Sequence, residues 1–157
     1  MIDWLDLGQP QVQRLAHVIL AAFLGALIGV DREIADKPAG LRTHMLVASA
    51  AALLVGLSEV AAHQFAVNLG DGLVRTDPIR VIEAVITGVS FLGAGTIIQD
   101  GNKRKVEGLT TAASVLVAAS IGICVALSQL VLAVGITVIV LVALRGVKIV
   151  EKWLELL

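Results

Sequence analysis

GLTTAASVLVAASIGICVALSQLVLAVGITVIVLVAL, residues 108–144, runs for 37 positions without a charged side chain. As one helix at about 1.5 Å per residue it would be about 55 Å long, whereas the hydrocarbon core of a bilayer is about 30 Å thick. The stretch therefore crosses a membrane twice and turns near Ser128-Gln129. The whole chain has the same character: of 157 residues 57% are hydrophobic and 16% charged, with a mean hydropathy of +0.92. Soluble domains carry about 25% charged residues, so this composition describes an integral membrane protein rather than a soluble helical bundle.

Outward from that segment, apolar runs of about 18 residues bring the number of spans to five, at 12–30, 43–67, 80–98, 109–127 and 129–145. The expected fold is a single all-α integral membrane domain over residues 1–157 with five transmembrane helices. Pro38 with Gly40, Gly70-Asp71-Gly72 with Asp77-Pro78, and the segment 99–108 mark the breaks between helices. Five spans place Arg32, Lys37, Arg42, Lys103, Arg104, Lys105, Arg145, Lys148 and Lys152 on one side, and Arg14, Arg75 and Arg80 on the other. The positive-inside rule then puts the N-terminus outside and the C-terminus in the cytoplasm. Trp4 and Trp153 flank the outermost spans, where interfacial aromatics belong.

Several function classes are disfavoured. A net charge of −1 gives no footing for nucleic acid, and the short run Lys103-Arg104-Lys105 serves topology. The lone Cys124 lies in an apolar run, so it forms no intramolecular disulfide and is read as a core residue. The first residues, MIDWLDLGQPQVQR, are acidic and show no basic segment of a signal peptide. No nucleophile, base and orienting group share a motif. Ser49, Ser90, Ser114 and Ser120 sit among small residues and suit helix contacts, so no enzyme is expected.

FLGA occurs at residues 23–26 and again 68 residues later at 91–94; GLRT at 40–43 is echoed at the same offset by GLTT at 108–111. Residues 23–59 and 91–127 agree at 11 of 37 positions. This predicts two helical-hairpin repeats, about 12–67 and 80–127, related by an axis near the membrane normal, with the fifth helix at 129–145 unpaired. Thr43 and Thr111 are expected to cap the second helix of each unit. The connections DREIADK and DGNKRKVE would meet at the cytoplasmic mouth and form the candidate functional surface. Gly25 and Gly29, spaced as GxxxG, are expected to let a neighbouring helix approach closely, within the chain or from a second copy.

Four blocks in order, LGALIGVDRE (24–33), AGLRTHMLVASAAAL (39–53), DPIRVIEAVITGVSFLGAGTII (77–98) and VEGLTTAASVLVAASIG (106–122), resemble the membrane domain of the MgtC/SapB family. The resemblance implies a bacterial inner-membrane protein tied to magnesium homeostasis and, in members from pathogens, to virulence-associated growth inside host cells. It implies partners among other membrane proteins, such as ATP synthase. Many members add a cytoplasmic ACT-like domain, whereas this sequence ends at EKWLELL, as a short or shortened member would. The last residues, GVKIVEKWLELL, are expected to lie along the inner leaflet or to lead from the fifth helix into such a domain.

The candidates follow from these readings. At the inner face, Asp31, Arg32, Glu33, Arg42, Thr43 and His44 match the family's motif positions, as do Gly93, Gly95, Gly108, Leu109 and Thr111 of the second unit. Arg32 and Arg42 are expected to neutralise acids there, and Gly93 and Gly95 to allow close contact or a break in helix three. At the outer face Glu59, His63 and Glu83, with His17, are weaker candidates for a divalent site, their ordinary role being interfacial side chains beside Arg14 and Arg80. Magnesium would use the carboxylates. A regulatory protein acting by contact with other membrane proteins or with itself is the leading expectation, and a small Mg²⁺ or other ion transporter the second.

Overall fold

The computed structural model describes residues 9–69, 77–100 and 105–154. Within them five helices follow one another: α1 (Gln9–Ile34), α2 (Leu41–Leu69), α3 (Pro78–Ala94), α4 (Leu109–Ala126) and α5 (Leu130–Leu154). Residues 11–34, 41–62 and 109–126 are long and apolar enough to cross a membrane; α3 and the apolar part of α5, Leu130–Gly146, each have 17 residues. Trp4, the glycines of 70–72 and Lys103-Arg104 lie outside the described residues, as does the side chain of Trp153.

The breaks are those that local chemistry dictates. After α1 the chain takes a left-handed turn at Asp36 (φ 51°) and passes Pro38 before α2 begins. Asp77 caps α3 by accepting a hydrogen bond from Ile79 N (3.0 Å), with Pro78 in the first turn. The turn between α4 and α5 places Ser128 at φ 59°.

Two boundaries differ from expectation. Helix three ends at Ala94 instead of continuing to 98, and the chain then forms a two-stranded antiparallel ladder, β1 (Ile98–Asp100) with β2 (Lys105–Glu107), Gln99 opposite Val106. Gly95 ends the helix and Thr96 Oγ1 donates back to Gly93 O at 2.7 Å. The β-branched run Thr96-Ile97-Ile98 then favours extended backbone. At the other end, α5 runs past residue 145, the expected end of the fifth span, to Leu154.

Helix α4 is the centre of the bundle and touches each of the other four; α1 and α2 make the most extensive pair, and α3 rests on α4 and, less closely, on α2. Its residues Val115, Ala118, Ala119, Ile121 and Val125 are almost wholly buried against Ala21, Ile28, Ala48 and Ala51 of the first hairpin. Small side chains permit this. A Cβ on Gly25 would lie 2.6 Å from His44 O and 2.9 Å from Ala48 Cβ, and one on Gly29 would lie 2.6 Å from Leu41 Cα. The GxxxG pair thus joins α1 to α2 within one chain. At the same residue of α2, Gly122 of α4 meets the Ala48 carbonyl. In lipid, where apolar surface gains nothing by leaving the solvent, such backbone approach and its dispersion contacts hold helices together.

Candidate functional site

The polar residues of the motif LGALIGVDRE gather where α1 ends. Asp31 and Arg32 are both buried, at 6% and 2% exposure, in a bundle whose interior is mostly apolar. Arg32 donates from Nε (3.2 Å) and Nη2 to Asp31 Oδ2, and Arg145 of α5 donates from Nε to Asp31 Oδ1 at 3.0 Å. One carboxylate therefore joins two guanidinium groups and ties α1 to α5. A buried Arg without its acid would leave a charge uncompensated, which is costly wherever water is excluded.

Glu33, the next residue, reaches across the connection: its Oε2 accepts the Leu41 N–H at 2.7 Å and so closes the start of α2. Neither threonine is a cap. Thr43 lies within α2, while α4 starts from Gly108, in the left-handed region at φ 91°, without a side-chain cap. Thr111 is buried one turn inside α4. Glu33 is the better cap in the first hairpin because its negative charge faces the positive end of the α2 dipole.

His44 is completely buried between α2 and α4. Its Nδ1 lies 2.8 Å from Gly40 O, its Nε2 lies 3.0 Å from Ser114 Oγ, and that hydroxyl lies 2.8 Å from Thr111 O. Three contacts need three hydrogens, while a neutral imidazole and a hydroxyl supply two. In the neutral state Nδ1–H donates to Gly40 O, and the Ser114 hydroxyl donates either to Nε2 or to Thr111 O. An imidazolium satisfies all three. The link spans both hairpins and is the polar tie between α2 and α4.

Of the remaining inner candidates, Arg42 is exposed at the start of α2, Gly93 faces Ala112 of α4, where an added Cβ would lie in ordinary contact at 3.5 Å, and Gly95 ends α3. Leu109 is the exposed first residue of α4. Sequence reasoning does not single out Arg145 or Ser114 for these roles. Arg145 carries a signal, as the first charge after the long apolar segment and hence at the depth where α1 exits. Ser114 carries none, because its partner His44 is 70 residues away.

At the opposite end a cleft of about 580 Å³ opens between α1, α2 and the α4–α5 turn. His17, Glu59, Arg14 and Ser128 line it above apolar side chains such as Val18 and Ala52. The structure thus brings two of the outer candidates to one cleft, together with a guanidinium that repels cations. Glu83 is exposed on α3 and does not line the cleft, and the side chain of His63 lies outside the described residues. Among the described residues no three His, Cys, Asp or Glu side chains are grouped as metal ligands would be.

A bundle of apolar helices, three of them long enough to cross a bilayer, with its charges paired where a span ends, defines a small helical membrane protein. The MgtC family model matches residues 18–153, and the chain belongs to that family. It is 38% identical over 140 residues to an uncharacterized protein of Haemophilus influenzae, covering 89% of this chain and 58% of that one. It is 40% identical over 111 residues to the putative magnesium transporter YhiD of Escherichia coli, covering 71% and 49%, and 35% identical over 129 residues to protein MgtC of Salmonella typhimurium, covering 82% and 50%. The chain thus spans about half the length of these curated relatives. No solved structure matches it.

Proposed function

We propose that this chain is a regulatory protein of the bacterial inner membrane, with its N-terminus outside and its C-terminus in the cytoplasm, that acts in magnesium homeostasis or stress adaptation by contact with other membrane proteins. The family and the names of its relatives support the magnesium connection. The observation that carries contact over conduction is the interior: α1, α2 and α4 meet backbone to backbone at Gly25, Ala48 and Gly122, and Ala118, Ala119, Ile121 and Val125 fill the space between them. The motif charges close on one another at the end of α1 instead of continuing as a polar path through this core.

Two helical hairpins, α1–α2 and α3–α4, are read as a parallel repeat. The pair Gly25–His44 in the first corresponds, at the offset of 68, to the pair Gly93–Ala112 in the second, and both pairs mark a helix crossing. The contact of α1 with α4 has its counterpart in that of α3 with α2, as a pseudo-twofold axis between α2 and α4 requires.

The second reading is a small Mg²⁺ transporter, favoured by the name of the Escherichia coli relative. Co-reconstitution separates the two. Purified chain is placed in proteoliposomes with ATP synthase, the partner that the family resemblance suggests; ATP-driven proton pumping is followed, and Mg²⁺ uptake is followed in liposomes holding the chain alone. Reduced pumping without saturable Mg²⁺ uptake is expected. Saturable uptake with unaltered pumping would replace the regulatory reading by transport.

A further inference from the structure

The cleft at the end remote from Asp31 combines an apolar floor with two unmatched charges. Its volume of about 580 Å³ falls within the range of about 300–1,000 Å³ that small-molecule sites occupy. Ala52 and Ala126 of its floor are buried, and Val18 is half-buried. Leu15, Leu53 and Leu57 also line it and are 46–59% exposed, so the cleft opens sideways onto hydrocarbon. Helix lengths set its depth. Arg14 stands 17 residues before Asp31 on α1, and Glu59 stands 18 residues after Leu41 on α2, which is about 26 Å and about 27 Å of helix. Counted from the charged inner end, both lie near the far boundary of a hydrocarbon core about 30 Å thick, at the level of lipid headgroups. There Gly56 leaves room for the Arg14 side chain to lie across α2: even a Cβ on Gly56 would keep 4.0 Å from Arg14 Cδ. Among the described residues neither Arg14 nor Glu59 forms an ion pair or a side-chain hydrogen bond.

We propose that this cleft binds one phospholipid with a zwitterionic headgroup, its phosphate on Arg14, its ammonium on Glu59 and an acyl chain along Val18, Ala52 and Ala126. The charges of the cleft select the head. A head bearing phosphate alone sets like charge against Glu59, and a head bearing only a cation sets like charge against Arg14. A head with both signs answers both, at a boundary where charges act more strongly on one another than in bulk water. The planar fork of a guanidinium suits phosphate oxygens, and His17 and Ser128 bring further hydrogen-bonding groups to the same cleft. The apolar floor and the sideways opening select a ligand with a chain over a soluble one, because a lipid enters from the bilayer without leaving hydrocarbon. The inference does not rest on the regulatory reading.

Lipid retention followed by native mass spectrometry tests it. The whole chain, freed of lipid in detergent, is offered phosphatidylethanolamine and phosphatidylglycerol in equal amounts. One phosphatidylethanolamine per chain is expected, held about fivefold better than phosphatidylglycerol, the weight of one charged group at a headgroup surface. Glu59→Gln should raise phosphatidylglycerol retention to the level of phosphatidylethanolamine, a gain that misfolding cannot produce. Arg14→Gln should weaken retention of both lipids, and Gly56→Leu, which fills the cleft where the backbone has room for a side chain, should exclude both. Arg80→Gln removes an exposed cation of α3 outside the cleft and should change neither. Equal retention of the two lipids by the parent, a preference that survives Glu59→Gln, undiminished binding in Gly56→Leu, or equal losses in Arg80→Gln and Arg14→Gln would overturn the assignment. Displacement of the lipid by free phosphoethanolamine would overturn it too, by making the soluble head the ligand.

Discussion

The two hairpins share FLGA, a glycine-leucine turn and a common order of helices, yet they are built to different tolerances. In α1–α2 a Cβ on Gly25 would press on the His44 backbone at 2.6 Å; in α3–α4 a Cβ on Gly93, at the matching position, would find Ala112 at a comfortable 3.5 Å. The first hairpin closes its connection with Glu33 and buries Asp31 with Arg32, whereas Gln99, Asp100 and Gly101 occupy the matching positions of the second, whose connection begins as a β-ladder. One hairpin is the tight core of the bundle and the other keeps an outward face. Similar sequence thus sets the crossing, and a few side chains set how firmly it is held.

The largest effect is expected where the first hairpin has buried charge. Asp31→Ala leaves Arg32 enclosed without its acid, and loss of one partner of a buried pair costs about 3–5 kcal/mol. Denaturant unfolding of the purified protein in detergent should show a drop of that size. The matching residue of the second hairpin, Gln99, carries no charge, so Gln99→Ala breaks no ion pair and should cost less than Asp31→Ala. Equal effects at the two positions would break the contrast.

Next come the two motif glycines. Gly25→Ala forces α1 off the α2 backbone and is expected to cost about 1–3 kcal/mol, the usual range for overpacking. Gly93→Ala adds a methyl where contact is ordinary and raises the helix propensity of α3, so its effect should be near zero or slightly stabilising, by up to about 1 kcal/mol. The same unfolding measurement on the pair reads the difference in tolerance directly.

Ser114→Ala follows. It removes the hydroxyl beside His44 Nε2 and leaves a buried nitrogen unmatched, for about 1–3 kcal/mol. Ser114→Thr, which keeps the hydroxyl, should recover part of the loss. An unchanged unfolding midpoint in Ser114→Ala would mean that contacts of α2 with α4 hold the hairpins together without the histidine tie.

Much of this arrangement is legible in the amino-acid sequence alone. The uncharged run 108–144, being about twice as long as one span needs, encodes α4 and α5, and the charges of DRE mark where α1 ends. The repeat of FLGA identifies the glycines of both crossings. Long-range partners are not legible: Arg145 is 114 residues from Asp31 and Ser114 is 70 from His44, and no local period encodes either meeting. The end of α3 is hidden for a different reason. Thr96, Ile97 and Ile98 extend an apolar run and so read as span, although their β-branched side chains favour the extended ladder that follows Gly95. The expected caps fail for two reasons: at α2 the Glu33 carboxylate, eight residues before Leu41, takes the amide, and α4 starts from left-handed Gly108, which leaves Thr111 inside the helix.

The smallest effect is expected at Arg145, and it sharpens the comparison most. Its side chain is 64% exposed, unlike that of Arg32, so the ion pair with Asp31 is screened and Arg145→Ala should cost less than about 1 kcal/mol. The same bond nevertheless joins α5, which has no counterpart in either hairpin, to the tight end of the first. Removing it should leave global unfolding almost unchanged and quicken amide hydrogen exchange selectively in the last turns of α5, because local opening follows local ties. Exchange that speeds equally throughout α1 and α2 would instead make Arg145 part of the buried charge balance around Asp31. The firm hairpin would then be a firm three-helix unit, with α5 included in it.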